Sequence, residues 1–341
     1  MTARGPVLVT GSAGFIGFHT ARRLLARGET VIGVDNLNSY YDPALKQARL
    51  DRLLAEPGYK HHTLDLADRR GMAALFAADA PRRIVHLGAQ AGVRYSLENP
   101  ESYIDSNVVG FLTVLEGARA VKAENLVFAS TSSAFGANGT LPFSVKQGVA
   151  HPMTVYAATK IANEAMAHSY AHLFGIPSTG LRFFTVYGPW GRPDMALFKF
   201  TKAILEGHPI DVYGHGEMER DFTYVDDIAE GIIRASDQPA RPDPNWDSNH
   251  PNPSTSSAPW RIFNIGNANP TSLLDYVAAL EDALGRKAIR EYLPLQPGDV
   301  PSTSASTAAL EAAVGYRPMT TVTEGVRRLA QWYLGRYGGV A

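Results

Sequence analysis

Cysteine is absent from the 341 residues, so the chain can form no disulfide, has no thiolate ligand for a metal and has no cysteine nucleophile. A large excess of either charge is also missing, because 32 basic residues stand against 33 acidic ones and the net charge is -1. Such a balance creates no overall field that would attract nucleic acid or an anionic membrane. Any charged ligand must therefore be bound by local groups.

Long apolar runs are missing as well. Although 45% of the residues are hydrophobic, no stretch reaches the roughly 18 apolar residues that a membrane span needs. Residues 1–6 lead directly into a strand-like segment and show neither the apolar region nor the cleavage site of a secretory signal. We therefore expect a cytoplasmic protein, and we expect two lobes because single cores stop growing at roughly 250 to 300 residues.

The hydrophobic pattern from residue 6 to about 184 alternates short β-branched runs with longer helical ones. This alternation is typical of a parallel sheet that is covered by helices on both faces. The predicted strands are 7–10, 31–35, 63–66, 84–87, 126–129, 180–184 and 263–266, and the clearest predicted helices are 14–27, 102–121 and 156–174. The predicted fold class is α/β, a Rossmann-type doubly wound parallel sheet with a smaller C-terminal α/β lobe.

A glycine-rich turn follows the first predicted strand and opens the first predicted helix. It places Gly11, Gly14 and Gly17 at a spacing of three residues. Glycines there allow main-chain N–H groups and the helix N-terminus to approach a pyrophosphate. Asp35 ends the second strand, where a carboxylate accepts hydrogen bonds from adenosine ribose hydroxyls. Residues 36–39 contain no Arg or Lys to bind a 2′-phosphate, so the sequence favours NAD over NADP.

Polar residues follow three further predicted strands. Asp65 ends the third strand and residues 87–90 end the fourth, at the sheet edge where an adenine and a ribose lie in this architecture. Asp65 equally fits the N-cap of a helix over 68–78. Residues 130–133 form a hydroxyl cluster after the fifth strand, which is either an ordinary Ser/Thr turn or a relay for a proton.

Tyr156 and Lys160 are four residues apart in a predicted helix, so their side chains share one face. An ammonium group beside a phenol favours the phenolate, which can act as a general base. Because an unperturbed tyrosine titrates near a pKa of about 10, we expect Lys160 and a cationic nicotinamide to lower the pKa of Tyr156. The spacing alone also fits a surface tyrosine that packs along a lysine side chain.

The glycine turn, the hydroxyl cluster and the Tyr-x-x-x-Lys pair together resemble the extended short-chain dehydrogenase/reductase family of nucleotide-sugar epimerases and dehydratases. More narrowly, the chain is similar to the UDP-glucuronate 4-epimerases in the segments 35–42, 89–96, 182–196 and 220–227. The resemblance implies NAD-dependent inversion of C4, which converts UDP-glucuronate into UDP-galacturonate through a transient 4-keto sugar. It also implies a UDP-sugar as small-molecule partner and assembly as a homodimer.

The resemblance implies roles for individual residues. Tyr156 is the implied base, Lys160 its electrostatic partner, and Thr131 the hydroxyl that is shared with the sugar; Arg192 is the implied anchor for the carboxylate. The predicted cofactor-binding residues are Gly11, Gly14, Phe15, Ile16, Gly17, Asp35, Asn36, Asp65, Leu66, Leu87, Ala89, Gln90, Ser130, Tyr156, Lys160 and Tyr187. The predicted substrate-binding residues are Val93, Arg94, Ser132, Ser133, Thr185, Arg192, Ala196, Arg220, Gln296 and Asp299.

The sequence differs at specific positions from family members with other activities. Ser132 and Ser133 stand where its dehydratases and decarboxylases have acidic residues, and a serine at pH 7 is neither the acid nor the base that dehydration needs. Gln296 departs from the arginine of galactose-type epimerases. A 4-epimerase of neutral UDP-hexoses, a UDP-glucuronate decarboxylase and a non-catalytic NAD-sensing regulator stay open as alternatives. His168 and His172 face away from Tyr156 and have no evident third ligand, so we expect no metal.

The predicted domains follow from these motifs. Residues 1–187 form the NAD-binding domain, to which residues 224–238 and 261–267 return. Residues 188–223 and 268–341 form the nucleotide-sugar-binding lobe. The proline-rich stretch 239–260 is predicted to be an exposed loop, because its composition is too polar to bury.

Overall fold

The computed structural model describes residues 5–295 and 302–338. The strands are β1 Val7–Thr10, β2 Val31–Asp35, β3 Tyr59–Thr63, β4 Arg83–His86, β5 Asn125–Thr131, β6 Ser178–Phe183, β7 Thr185–Tyr187, β8 Pro209–Tyr213, β9 Glu219–Arg220, β10 Phe222–Tyr224, β11 Trp260–Ile265, β12 Thr271–Ser272 and β13 Ile289–Leu293. The α-helices are α1 Phe15–Ala26, α2 Pro43–Leu54, α3 Arg69–Asp79, α4 Tyr95–Glu98, α5 Pro100–Tyr103, α6 Gly110–Ala120, α7 Val155–Phe174, α8 Ala196–Glu206, α9 Val225–Asp237, α10 Leu273–Leu284, α11 Ala308–Val314 and α12 Val322–Tyr337.

Seven parallel strands form the main sheet, in the order β11-β6-β5-β4-β1-β2-β3. Successive side chains of a strand point to opposite faces, and both faces of this sheet are buried. Val7 and Val9 pack in one core cluster with residues of α1 and α9, whereas Leu8 packs in another with residues of α3 and α6. This arrangement confirms the predicted doubly wound α/β fold.

A smaller lobe is built from α8, α10, α12 and short strands. Its core includes Ile204, Val212, Tyr276 and Leu329, all of which are almost fully buried. β8 pairs with β13 in parallel, and β7 pairs with β10, which joins this lobe to the end of the main sheet. None of the helices described in residues 5–295 and 302–338 has the length and the apolar run that crossing a bilayer requires.

The third strand differs from its prediction. It spans Tyr59–Thr63 rather than 63–66, and its residues are only partly buried because it lies at the edge of the sheet. An edge strand buries little surface and so lacks the apolar run by which the inner strands were found. Asp65 therefore lies in the loop beyond the strand. The capping alternative for Asp65 is wrong, since Asp68 caps α3 by accepting hydrogen bonds from the N–H groups of Arg70 and Gly71.

Two other segments also depart from expectation. The predicted helix over 102–121 contains a π-helical turn, Ile104–Val109, between α5 and α6. The proline-rich stretch 239–260 is not wholly exposed, because small side chains such as Ala240, Ser256 and Ala258 are buried. The main-chain N–H of Asp243 donates to the carbonyl oxygen of Ser256 at 2.8 Å, so this loop is folded back on itself.

Candidate active site

A cleft lies at the carboxyl ends of the parallel strands and encloses about 380 Å³. Its walls come from the loops after β1, β2, β3, β4 and β5, from the start of α7 and from residues 183–195. Ligands of open parallel sheets bind at this edge. The cleft is therefore the candidate site.

The turn between β1 and α1 brings main chain to the surface of the cleft. Gly11 has a φ of 67°, and a Cβ on it would lie 2.8 Å from the Cα of Gly88. A Cβ on Gly17 would lie 2.0 Å from the carbonyl oxygen of Gly11. α1 begins directly after this turn, so its N-terminal N–H groups face the same space. The turn fits a pyrophosphate group.

The carboxylate of Asp35 is fixed at the end of β2. Its Oδ2 accepts a hydrogen bond from the N–H of Ala13 at 3.1 Å, and its Oδ1 accepts one from the N–H of Leu37 at 2.9 Å. Asn36 donates to Oδ2 of Asp65 at 2.8 Å, which joins the loops after β2 and β3. These polar groups line the cleft and fit the hydroxyls of an adenosine ribose.

A lysine that the sequence analysis missed lines the same wall. Lys46 of α2 is buried, and its Nζ donates to the carbonyl oxygen of Asn38 at 2.7 Å and to its Oδ1 at 2.6 Å. Burial lowers the pKa of Lys46, and the charge of Asp35 opposes this effect. The prediction considered only the residues next to Asp35 in sequence, whereas the fold brings α2 back to it.

Tyr156 and Lys160 lie one turn apart at the start of α7, which Thr154 caps. Both line the cleft. The Nζ of Lys160 donates to the carbonyl oxygen of Ala129 at 3.0 Å, which ties the helix to the end of β5. Burial lowers the pKa of Lys160 to about 8, and the charge of Glu164 acts in the opposite direction.

The expected downward shift of the pKa of Tyr156 is not found in the protein alone. Burial raises the pKa of Tyr156, and this effect outweighs a hydrogen bond with Thr131 and the charge of Arg192, which lower it. The groups that favour the phenolate are thus Thr131 and Arg192 rather than Lys160. Activation of the phenol at neutral pH needs a further positive charge beside it.

The hydroxyl cluster is both a turn and part of the cleft wall. Residues 132–135 form a short 3-10 helix, and Oγ1 of Thr131 accepts a hydrogen bond from the N–H of Ser133 at 3.1 Å. Thr131, Ser132 and Ser133 all line the cleft. The two alternatives considered for this cluster are therefore compatible.

A buried ion pair that the sequence analysis missed supports this turn. Arg182 of β6 donates from Nε and Nη2 to the carboxylate of Glu164 at 2.9 and 2.7 Å, and Ser130 donates to the same carboxylate at 2.5 Å. The Arg182 guanidinium lies 4.8 Å from the ring centroid of Phe135, within the turn. Glu164 follows Lys160 by four residues, and this spacing was the signal available in the sequence.

Arg192 enters the cleft from the loop between β7 and α8. Its Nε lies 3.0 Å from Oδ1 of Asp194, and its Nη2 donates to Oδ2. Burial lowers the pKa of Arg192, but the charge of Asp194 more than reverses this, so the guanidinium stays charged. The cleft thus combines a tyrosine, a lysine and a guanidinium group.

The cleft brings most of the predicted residues together. Those that line it are Gly11, Gly14, Phe15, Ile16, Gly17, Asp35, Asn36, Asp65, Leu66, Leu87, Ala89, Gln90, Val93, Ser130, Thr131, Ser132, Ser133, Tyr156, Lys160, Thr185 and Arg192. Gln296 and Asp299 lie outside the described residues. Residues that line it without having been predicted include Tyr40, Lys46, Ser106, Phe183 and Met195.

The structure does not place Tyr187 and Arg94 in this cleft. Tyr187 is buried in the core of the smaller lobe, with its ring centroid 5.6 Å from that of Tyr276. Arg94 is exposed, and its guanidinium lies 5.6 Å from the ring centroid of Tyr213. Motif position placed both near the ligand, but their side chains point into the lobe core and over its surface.

Ala196 and Arg220 also lie outside the cleft wall. Ala196 is the first residue of α8 and borders a small adjoining cavity, as Tyr187 does. Arg220 donates to the carbonyl oxygen of Glu219 at 2.9 Å and approaches the sulfur of Met218 at 3.2 Å. Both of these contacts are local, with residues one and two positions before Arg220 in the chain.

The histidine pair on α7 has ordinary packing contacts. His168 shares a hydrogen bond of 2.8 Å with Ser256, and its ring stacks on that of His172 with centroids 6.5 Å apart. Within residues 5–295 and 302–338 there is no group of three or more His, Asp or Glu side chains suited to a metal ion.

The sequence also matches a known protein family and individual relatives. Residues 7–250 match the model of the NAD dependent epimerase/dehydratase family. The chain is 50% identical over 331 residues to a probable UDP-glucuronate 4-epimerase of Rhizobium meliloti (strain 1021), covering 97% of each chain. It is 44% identical over 344 residues to UDP-glucuronate 4-epimerase 3 of Arabidopsis thaliana, covering 99% of this chain and 79% of that one.

Solved structures are similar over the whole fold. The UDP-glucuronic acid 4-epimerase of Bacillus cereus, solved with UDP-glucuronic acid and NAD, superposes with a TM-score of 0.84 at 29% identity. The alignment covers 96% of this chain and 98% of that one.

Proposed function

Because the chain belongs to the NAD dependent epimerase/dehydratase family, we propose that it inverts C4 of UDP-glucuronate and so forms UDP-galacturonate, with NAD as its resident cofactor. One observation carries this proposal. Tyr156, a candidate base, and Arg192, a candidate anchor for a carboxylate, line the same cleft. The relatives at 50% and 44% identity that are named for this reaction support the choice of substrate.

Different residues of the cleft would bind different parts of the cofactor. The glycine turn and the start of α1 would hold the pyrophosphate, and Asp35 the adenosine ribose. When bound, the cofactor supplies reversible acceptance of hydride from C4, and its positive charge is the further source that the buried phenol of Tyr156 needs. The close backbone approach at Gly11 and Gly17, where a Cβ would collide with main chain, fits the binding of this cofactor.

Protein side chains would handle the proton and the carboxylate. Tyr156 takes the proton from O4, assisted by Thr131, and returns it after the sugar has turned over in the cleft. While it is protonated, Lys160 adds a positive charge to the cleft that it lines. Arg192, with the hydroxyls of Ser132 and Ser133, holds the carboxylate of the sugar by charge-assisted hydrogen bonds.

The test is to incubate the purified protein with UDP-glucuronate that carries deuterium at C4, without added cofactor, and to separate the products. We expect UDP-galacturonate that retains the deuterium at C4. Loss of deuterium to solvent, or no isomer at all, would overturn the proposal. UDP-glucose tested in parallel separates this activity from that of a neutral-hexose epimerase, and UDP-pentose as the main product would indicate a decarboxylase.

We further propose that the protein acts in the cytoplasm as a homodimer. Large apolar side chains are exposed on α7, where Leu173 is 67% exposed, and on the π-helical turn Ile104–Val109, where Ile104 is 46% exposed. Contiguous apolar surface on paired helices is typical of a two-fold interface. Sedimentation equilibrium should give twice the 36.9 kDa mass of the chain, and a monomer at micromolar concentration would contradict the dimer.

A further inference from the structure

The chain carries its own carboxylate beside the residue that is proposed to bind the carboxylate of the sugar. Asp194 occupies the Nε and Nη2 edge of Arg192 in a bidentate pair. A guanidinium has five N–H groups in a fixed fork, so three are left for a ligand after this pairing. Arg192 lines the cleft, with its side chain 20% exposed. Asp194 therefore fixes one edge of the guanidinium and leaves the other edge for the substrate.

Tyr40 holds Asp194 in turn. Its hydroxyl donates to Oδ2 of Asp194 at 3.2 Å. Its ring lies against that of Tyr95, with centroids 4.9 Å apart, and a Cβ on Gly92 would lie 2.4 Å from its hydroxyl oxygen. Burial, followed by the charge of Asp194, raises the pKa of Tyr40 to about 12, so its hydroxyl remains a donor at neutral pH. Packing thus leaves Tyr40 little freedom.

The loop that carries Arg192 is attached to the main-sheet half at two further places. His19 of α1 is 2.9 Å from the carbonyl oxygen of Pro189, and Arg49 of α2 donates to the carbonyl oxygen of Trp190 at 2.6 Å. Tyr40, which precedes α2, makes the contact nearest to Arg192. Arg192 is therefore held both by its backbone, through the attached loop, and by its guanidinium group, through Asp194.

We propose that Asp194 and Tyr40 are positioning residues that hold the Arg192 guanidinium in one plane, so that the site prefers a sugar carboxylate and keeps it fixed during turnover. This inference rests on the proposed function. The 4-keto sugar is a β-keto acid, which loses CO₂ when its C5–C6 bond aligns with the carbonyl π-system. In that loss the bond's electron pair passes into the C4 enolate and C5 takes up a proton. A fixed guanidinium holds the carboxylate away from this alignment.

The test uses Asp194→Asn in the holoenzyme. An amide offers Arg192 one acceptor and places an N–H₂ group against its second donor, so the bidentate pair is lost. We expect Kd for UDP-glucuronate, measured by calorimetry, to rise about tenfold, the factor that corresponds to one lost hydrogen bond. Kd for UDP-glucose should change by less than about twofold, since that sugar has no carboxylate. The fraction of decarboxylated product should rise.

Two further variants complete the experiment. Tyr40→Phe keeps the ring and removes one hydrogen bond to Asp194, so it should change the same quantities in the same direction by a smaller factor. Asp211→Asn is a matched control, because Asp211 is exposed and accepts a hydrogen bond from Tyr213 at 3.2 Å, the same distance as in the Tyr40 pair. It should leave both Kd values and the product ratio unchanged.

Each result decides between distinct conclusions. An unchanged affinity ratio and product ratio in Asp194→Asn would overturn the positioning role while leaving the proposed function intact. Equal weakening of both nucleotide sugars would mean general damage to the site and would also overturn it. If the unaltered protein neither converts UDP-glucuronate nor binds it more tightly than UDP-glucose, the proposed function itself fails and the positioning role fails with it.

Discussion

Glu164 does not line the cleft, but its contacts support the residues that do. Its carboxylate is 7% exposed and binds Arg182, whose own side chain is 2% exposed, and Ser130 also donates to it. Ser130 and Arg182 belong to neighbouring strands and are directly paired in the sheet. The ion pair therefore holds together α7, β5 and β6, the three elements around Lys160.

Replacing Glu164 with Gln leaves the buried Arg182 without its counter-ion. Loss of one partner of a buried pair costs about 3 to 5 kcal/mol, and we expect the free energy of unfolding in urea to fall by that amount. Glu124→Gln is the control, because that residue pairs with Arg82 at the surface, where both side chains are 52% exposed, and such pairs contribute below about 1 kcal/mol. Equal losses in the two variants would contradict the prediction.

The protonation of Lys160 sets a limit on activity at high pH. Burial lowers its pKa to about 8, so the ammonium form is present below that pH and is lost as the pH rises through it. Because the proposed role of Lys160 requires the charge, kcat/KM should decline above about pH 8. Lys160→Met should lower activity at all pH values and remove this decline. A profile that stays flat up to pH 10 in the unaltered enzyme would contradict this.

At the level of the structural elements, the turn between β1 and α1 leaves little room for a larger side chain. A Cβ on Gly17 would lie 2.0 Å from a carbonyl oxygen of the preceding turn, so Gly17→Ala must displace main chain that faces the cofactor. We expect Kd for NAD to rise at least about tenfold, which corresponds to about 1.4 kcal/mol of binding, and less NAD to co-purify with the protein.

Gly335→Ala is the control for this substitution. Gly335 lies inside α12, and a Cβ on it would have no heavy atom within 4 Å. Alanine is favoured over glycine in a helix by about 1 kcal/mol, so this variant should be slightly more stable and should keep its NAD. If both variants retain NAD equally, the glycine turn does not bind the cofactor.

The sequence predicted the inner elements of the sheet well because each of them is buried on both faces. β1, β2, β4 and β5 are buried along almost their whole length and have apolar residues at their centres, and the glycines and hydroxyls that follow them identified the edge where the cleft lies. β3 was misplaced because the sequence Tyr-Lys-His-His-Thr of this edge strand has no apolar run. Periodicity also could not distinguish the π-helical turn Ile104–Val109 from regular helix.

The missed contacts around the cleft share one property, which is that they join distant parts of the chain. Asp194 and Tyr40 are separated by 154 positions and Glu164 and Ser130 by 34, so no local pattern joins them. Tyr187 was placed near the cofactor by its motif, whereas its ring completes the core of the smaller lobe. A motif fixes the course of the backbone more reliably than the direction of each side chain.

In the molecule as a whole, Arg49 links the two halves of the cleft. It is fully buried and donates to the carbonyl oxygens of Ala13 at 3.0 Å and Trp190 at 2.6 Å, and to the hydroxyl of Tyr41 at 2.7 Å. Ala13 lies in the glycine turn, and Trp190 lies in the loop that leads to Arg192. One guanidinium thus connects the proposed cofactor end and the proposed sugar end.

Arg49→Met removes this connection and leaves two buried carbonyl oxygens without their donor. Unsatisfied buried groups cost about 1 to 3 kcal/mol each, so we expect a loss of about 3 kcal/mol in urea unfolding and weaker binding of both NAD and UDP-glucuronate in calorimetry. Arg70→Met, at the exposed start of α3, should change neither quantity. Weaker binding of only one of the two ligands would show that Arg49 supports a single end of the cleft.

The attachments of the loop 188–195 bear on any attempt to transplant substrate choice between relatives. His19, Tyr40 and Arg49 hold that loop from three separate stretches of the chain. A graft that moved only the eight residues around Arg192 would carry Asp194 along, but it would leave these three residues behind and the Arg192–Asp194 pair would lose their support. Selectivity for an acidic sugar therefore depends on residues from several parts of the chain. An engineered enzyme would need the loop and the residues that hold it together.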